Sequence, residues 1–299
     1  AVRAVLAVGG SLNAVKHLQA VATEAGSDVD VYGLFERLGP ETPVLAGIRP
    51  VGERSIEEFE DAGGCRALMK QLAPLLARDA PTVSGATVEE NLRDAVVRDA
   101  EVIRPIERPV APRPAIVLLR GNLAPEAALI KPGIVERRTR RFSGPAICFP
   151  TSDAALAALK AGDIRPGHVV VMRGAGACGG PAMGGGASRV VFALDGAGLG
   201  DQVAMLTDGH LSGLVCKGLV VAEVAPEAAL GGPLALVEDG DRITIDVDAR
   251  RVDLDVPDEE IAARRARWQP PAPMFDRGWL QIYRRNVGPL SKGAVLVRK

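Results

Sequence analysis

Residues 169–186 read VVVMRGAGACGGPAMGGG, and that stretch decides the fold. Val169–Met172 is a short run of strand character, and a glycine-rich turn follows it. Gly174, Gly176 and Gly179 satisfy the G-x-G-x-x-G spacing after a strand, and Asp195 stands further on, where a ribose-binding acid would lie. The dinucleotide fingerprint also needs its third glycine to open a helix whose N-terminus faces a pyrophosphate. Gly180-Pro181 and Gly184-Gly185-Gly186 disfavour such a helix. The nucleotide reading therefore ranks below two others. One is a glycine-rich loop whose amides approach an anionic ligand, and the other is a plain loop.

Outward from this stretch the chain reads as strands. Ala115–Leu119, Val190–Leu194 and Val203–Leu206 are short apolar runs bounded by Gly, Pro or Asp. Ile243, Ile245 and Val247 alternate, then Val252, Leu254 and Val256, on either side of Asp248–Arg251. That pattern predicts a β-hairpin with one buried face. Helices are predicted over Asp153–Ala161 and Asp258–Trp268, the second opened by Pro257. Strands outnumber helices, so residues 115–299 are expected to form a barrel-like or sandwich-like domain. Four prolines (Pro105, Pro109, Pro112 and Pro114) mark 101–114 as a linker. Residues 1–100 read as α/β. They open with a strand over Val2–Val8 and continue with a helix from about Asn13 to Glu24, capped by Ser11 and stopped by Gly26. Val15, Leu18, Val21 and Ala22 would form its buried face. Two further helices are predicted over Ile56–Glu60 and Cys65–Ala73, the latter ending before Pro74.

Composition excludes several function classes. The 36 basic and 37 acidic residues leave a net charge of −1, which argues against nucleic acid or an anionic membrane surface as a partner. With 6 Phe, 2 Trp and 2 Tyr there is little material for base stacking. Cys65, Cys148, Cys178 and Cys216 are too dispersed for a zinc knuckle or a disulfide framework. The apolar runs are too short to span a bilayer, and a soluble cytoplasmic protein is expected.

Chemistry-bearing residues gather in Thr207-Asp208-Gly209-His210-Leu211-Ser212-Gly213, directly after an apolar run. A hydroxyl at Ser212, with Asp208 and His210 as possible partners, invites a nucleophile or base assignment. Spacing alone also allows a structural turn, because D-G and S-G pairs end strands routinely. His17 on the first long helix and His168 at a turn read equally well as ordinary structural histidines. The run Arg137, Arg138, Arg140, Arg141 reads as a solvated face.

Taken in order, these segments resemble one family. Gly9-Gly10-Ser11-Leu12-Asn13-Ala14-Val15 followed by His17-Leu18 looks like its GGSTNAVxHL segment. Ile103-Arg104-Pro105, Leu119-Arg120-Gly121-Asn122-Leu123-Ala124-Pro125, Gly144-Pro145-Ala146, Gly179-Gly180-Pro181 and the Thr207–Gly213 motif follow, then Pro226-Glu227-Ala228 and Gly231-Gly232-Pro233. The chain is similar to the dihydroxy-acid dehydratase/phosphogluconate dehydratase family over nearly its whole length. The resemblance is to the C-terminal half, because family members are about twice as long. It implies the tail of an N-terminal α/β domain followed by a swivelling β-barrel-like domain flanked by helices. It also implies removal of water from a 2,3-dihydroxy acid or sugar acid to give a 2-keto acid. An iron–sulfur cluster and magnesium are implied, with no ligands for either identified in this chain and most of them expected in an N-terminal half or a separate subunit. Homo- or hetero-oligomers are expected.

The resemblance makes Ser212 the base, in an environment shaped by Asp208 and His210. Ser11, Asn13, His17, Gly179, Gly180 and Lys292 become the candidates for holding the acid. Two departures stand against catalysis. Gly185 occupies the position of a glutamate metal ligand, and Gly174-Ala175-Gly176 replaces the family's YEG. In addition, His210 replaces an arginine and Glu223 replaces a histidine. Glu223 and Asp195 are carboxylates able to stand in as ligands, and spacing selects neither. The rival reading is a degenerate, non-catalytic binding or accessory subunit.

Overall fold

The computed structural model describes residues 1–134, 140–180, 185–213, 215, 217–273 and 275–296. Its helices are α1 (Val2–Ala7), α2 (Asn13–Glu24), α3 (Val31–Leu38), α4 (Ile56–Asp61), α5 (Gly64–Gln71) and α6 (Val88–Asn91), then α7 (Ser152–Ala161), α8 (Gly185–Gly196), α9 (Asp258–Arg267) and α10 (Gly278–Asn286). Its strands are β1 (Val117–Leu119), β2 (Ala127–Ile130), β3 (Arg141–Phe149) and β4 (Val169–Met172), then β5 (Ala204–Thr207), β6 (Leu219–Ala225), β7 (Arg242–Asp246) and β8 (Arg251–Leu254). The chain divides into two compact units. The first holds Ala1–Ser11, Gly33–Ile116 and residues 133–134. The second holds Leu12–Tyr32, Val117–Pro132 and the described residues from 140 onward.

In the first unit the opening apolar run is helical, where a strand was predicted. A short apolar segment carries no period of its own, and here Val2 and Leu6, one helical turn apart, become buried together with Ala7. The core gathers Leu45, Phe59, Leu68 and Leu72, and it takes in Val102 and Ile103 from the proline-rich segment. A capping box opens α4: Glu58 N donates to Ser55 Oγ at 3.2 Å, and Ser55 N donates to Glu58 Oε2 at 2.7 Å. Such a cap contributes about 1 kcal/mol. α5 stops at Gln71, and Pro74 follows in a 3₁₀ turn, Ala73–Leu75.

The second unit is built on one eight-stranded sheet, in the order β1-β2-β6-β5-β4-β3-β7-β8. Its centre, β3 to β6, is parallel, with α7 crossing from β3 to β4 and α8 from β4 to β5. β4, β5 and β6 are buried along their whole lengths, as a parallel sheet covered on both faces requires. The predicted hairpin is β7–β8, with Ile243, Ile245, Val252 and Leu254 all buried. The two edges meet: Arg120 N donates to Arg250 O at 3.0 Å and Val252 N donates to Arg120 O at 2.9 Å, which nearly closes the sheet into a barrel. Closure removes the exposed edges that would otherwise pair with other chains. The interior is aliphatic, with Leu119, Ile130, Val171, Leu206, Val221 and Ile245 among its members.

Val190–Leu194 is not a strand but the middle of α8. Ala187, Val190, Val191 and Leu194 are all buried, and their spacing is helical once the window is widened beyond the apolar run. The helix opens at Gly185, so the glycines that disfavoured a helix there did not prevent one. β2, β3 and β6 lie outside the predicted runs except at the ends of motifs, and β3 crosses Gly144-Pro145, residues that read as turn formers.

Candidate active site

The four parallel strands end on the same side, and their carboxyl ends carry the loops that bear polar residues. Crevices outside those ends are where α/β sheets bind ligands. Thr207 closes β5, and its Oγ1 accepts from Gly209 N at 3.0 Å, which turns the chain into the Asp208–Gly213 loop. Asp208 is fully buried. Its Oδ2 accepts from Gly174 N and Ala228 N and its Oδ1 from Ala175 N, each at 2.9 Å. The Asp208 carboxylate thus ties the loops after β4 and β6 to the loop after β5.

Glu227 repeats the device one loop further on. Its carboxylate accepts from Cys178 N at 3.1 and 2.9 Å and from Gly179 N at 2.9 Å. Gly180 N donates to Gly176 O at 3.0 Å. The Gly179 and Gly180 amides, expected to hold a substrate carboxylate, are therefore already committed within the protein. Gly176 has no room for a side chain, since a Cβ there would lie 2.3 Å from Glu227 Oε2. A cleft of about 480 Å³ opens beside this frame, lined by Thr151, Arg173, Gly174, Gly179, Trp268 and Gln269 among others.

Ser212 lies further along the loop, half-buried, its amide donating to Ser188 Oγ of α8 at 3.0 Å. Lys131, buried just beyond β2, reaches Gly213 O at 3.5 Å. This places an ammonium one residue from Ser212. Lys131 drew no notice in the sequence, where it reads as an ordinary lysine after an apolar run.

The second cluster is built on α2. Its buried face is Val15, Lys16 and Gln19; of the predicted Val15, Leu18, Val21 and Ala22 only Val15 is buried, and Val21 is 66% exposed. The reason is Lys16. Its Nζ donates to Glu223 Oε1 at 3.0 Å, lies 3.1 Å from His210 Nε2, makes a close contact with His210 Nδ1 and is 3.5 Å from Asn13 Oδ1. Burial lowers the Lys16 ammonium from its ordinary value and raises the Glu223 carboxyl, each shift opposed by the partner's charge. Burial, then the Lys16 and His17 charges, hold His210 down at about 3. His210 is therefore a neutral imidazole at physiological pH.

Of the expected ligands, Asn13 joins this cluster and exposed His17 acts on His210 through its charge. Ser11 belongs to the first unit, and the helix N-cap is Leu12 rather than Ser11. Lys292 is exposed, and its carbonyl accepts from Thr23 Oγ1 at 3.0 Å. The segment 181–184 and, of the arginine run, Arg137 and Arg138 lie outside the described residues; Arg140 Nε donates to Asp248 Oδ1 at 2.8 Å, and Arg141, at the start of β3, lies 3.6 Å from Asp246.

The donor set of the described residues does not fit magnesium or an iron–sulfur cluster. Among the described residues, no three His, Cys, Asp or Glu side chains converge. Asp208 and Glu227 are saturated by backbone amides, Glu223 is engaged by Lys16, and Asp195 pairs with Lys217 at 3.3 Å. Neither stand-in carboxylate has the setting of a ligand. Burial pushes the Cys148 and Cys178 thiols up to about 12, the reverse of what a metal thiolate needs. Among the described residues no helix is long and apolar enough to cross a membrane.

Comparison with known proteins agrees with this architecture. Residues 101–294 match the family model for the dihydroxy-acid/6-phosphogluconate dehydratase C-terminal domain, and residues 1–91 match that for the N-terminal domain. The second match corrects the expectation of a C-terminal half alone. A dihydroxy-acid dehydratase of Ignicoccus hospitalis is 43% identical over 295 residues, covering 97% of this chain and 52% of the relative. The protein of that name in Syntrophotalea carbinolica is 42% identical over 299 residues, covering 99% and 52%. That of Roseiflexus castenholzii is 44% identical over 304 residues, covering 99% and 53%. The chain spans about half the length of the curated relatives it matches.

Proposed function

We propose, from the premise that the chain belongs to the dihydroxy-acid/6-phosphogluconate dehydratase family, that it supplies the proton-abstracting side of a hydro-lyase. The substrate is a small 2,3-dihydroxy acid or sugar acid, and the product its 2-keto acid. The observation that carries this reading is the setting of Ser212: it is fixed at the carboxyl end of β5 by Ser188, with the buried Lys131 ammonium at the next residue's carbonyl. A serine removes a carbon-bound proton only as an alkoxide, and a neighbouring positive charge favours the ionised form. Ser212 Oγ takes the C2 proton, the C3–oxygen bond breaks, and the resulting enol becomes the ketone.

Departure of the C3 hydroxyl needs an acid that the described residues do not offer. The Asp208 carboxylate is held by backbone amides, the Glu227 carboxylate by backbone amides and the Cys178 thiol, and His210 is neutral. That half of the reaction is assigned to groups outside them, carried by the rest of the polypeptide or by a separate subunit. Asp208 and Glu227 act as positioning residues that brace the three loops, and His17 with Asn13 faces the substrate's carboxylate end.

The test is Ser212→Ala in the assembled enzyme. Turnover of a dihydroxy acid to 2-keto acid, followed by hydrazone formation, is expected to fall at least about a hundredfold with substrate binding retained. Unchanged turnover would remove Ser212 as the base. Binding with no 2-keto acid from the unsubstituted protein would favour the accessory-subunit reading instead.

A further inference from the structure

The cleft beside the braced loops carries chemistry that the hydro-lyase reading leaves unused. Its volume is about 480 Å³, and Ser212, Lys131 and His210 are not among the residues that line it. Gly174, Gly179, Ala228 and Ala235 bring only backbone and methyl groups to its surface, while Trp268 and Pro271 supply rings. A mostly apolar concavity with a few placed polar groups is the usual setting for a small ligand. Its wall is fixed in advance. The Trp268 indole lies against Gly231, where a Cβ would come within 3.2 Å of it, and Gly231 O accepts from Arg265 Nη1 at 2.8 Å. Leu236 O accepts from Arg264 Nη1 at 3.0 Å, and Arg173 Nη1 donates to Ala235 O at 3.3 Å and to Val237 O at 2.5 Å. A cleft held in this way loses little binding free energy to ordering.

Among the described residues that line the cleft, Arg173 alone is charged. Its hydrogen bonds to the described residues use Nη1 only. Nε and Nη2, the parallel donor pair on one edge of the guanidinium, are left for two oxygens of a ligand. The carboxylates of this neighbourhood are engaged elsewhere: Asp239 accepts from Cys148 N at 2.7 Å, Asp241 from Arg264 Nη2 at 3.1 Å and Glu227 from Gly179 N at 2.9 Å. The glycines offer an anion nothing further, since Gly174 N and Gly179 N donate to Asp208 and Glu227. A pyrophosphate, which needs several free amides, does not suit such a surface, and a single carboxylate on Arg173 does.

We propose that this cleft is a binding site for a small aromatic carboxylate, its ring packed on Trp268 against the glycine and alanine surface and its carboxylate paired side-on with Arg173. The occupant is not the 2,3-dihydroxy acid of the hydro-lyase reading. That acid has no ring for Trp268, and it carries two hydroxyls that a mostly apolar lining leaves unpaired. The inference therefore goes beyond that reading and does not rest on it.

The chain has two tryptophans, Trp268 and Trp279, and Trp279 is 71% exposed on α10. Proton–nitrogen correlation on the 15N-tryptophan-labelled full chain therefore reads two indole signals, assigned with Trp279→Phe. Titration with 2-naphthoate is expected to shift the Trp268 signal saturably, with a Kd of about 1 mM or tighter, and to leave Trp279 unmoved. 2-Naphthalenemethanol keeps the ring and lacks the charge, and it is expected to bind at least about tenfold more weakly. The same loss is expected for 2-naphthoate on Arg173→Lys, which keeps the charge and loses the fork. The absence of a saturable shift up to about 10 mM, equal shifts of both indoles, or an alcohol that binds as tightly as the acid would overturn the proposal, and none of these needs Arg173→Lys to fold. So would unchanged affinity in folded Arg173→Lys. Displacement of 2-naphthoate by a 2,3-dihydroxy acid would overturn it as well, by making the cleft the substrate's. The titration follows no turnover, so its failure is distinct from that of the hydro-lyase reading.

Discussion

Replacing Asp208 with asparagine probes the frame on which the whole site depends. The wild-type carboxylate accepts three backbone amides at 2.9 Å, two on Oδ2 and one on Oδ1, with no exposure to solvent. Asparagine has one acceptor oxygen. If that oxygen takes the place of Oδ2, it keeps Gly174 and Ala228, and its NH₂ is turned against the Ala175 amide. One bond to a charged group is then lost, worth about 1.5–3 kcal/mol, and a buried donor left unmade costs about 1–3 kcal/mol more. The two surviving bonds weaken towards about 1 kcal/mol each as the acceptor loses its charge. Burying a neutral amide instead of a carboxylate offsets part of this, since desolvation is the largest influence on Asp208 and raises its carboxyl. The net expectation is a destabilisation of about 3 kcal/mol. Urea unfolding should show a lower midpoint at unchanged slope, and hydrogen exchange at the Gly174 and Ala175 amides should accelerate ahead of the rest of β4. A midpoint change worth less than about 0.5 kcal/mol would mean that the carboxylate is not what braces these loops.

Two further expectations follow from single residues. His210 is held at about 3 against an ordinary 6.5, so below the latter the unfolded chain binds a proton that the native ring refuses. The stability this carries is complete above about pH 6.5 and is lost as pH falls towards 3, at about 1.4 kcal/mol per pH unit, and His210→Gln should flatten that limb of the curve. Equal slopes in parent and variant would refute it. At Gly144 in β3 a Cβ would lie 1.9 Å from Gly167 O, so Gly144→Ala must displace backbone. It should cost about 2–3 kcal/mol, read as a fall in Tm of about 5 °C or more; an unchanged Tm would show that the strand can yield.

Much of the barrel was legible along the chain. The β7–β8 hairpin declared itself by strict alternation, β4 by a β-branched run, and α9 by Pro257 at its N-terminus, because each signal is local to its element. The order of motifs also sufficed to identify the family. What failed was apolar segments too short to show a period: Val2–Ala7 and Val190–Leu194 became helices because their burial partners, not their composition, set the geometry. The loop from Thr207 to Gly213 was recognisable as a place for chemistry, but the roles within it were not. That Asp208 braces three loops follows from amides more than thirty residues away in sequence or on another strand's end. Lys16 points away from the apolar stripe of α2 because Glu223, 207 residues further on, waits in a bulge to receive it. Sequence by itself determined the elements and the lineage, since propensity, alternation and capping act over a few residues. Tertiary structure alone decided which charges meet, because a buried ion pair is fixed by the packing of distant segments and leaves no local signal in either of them.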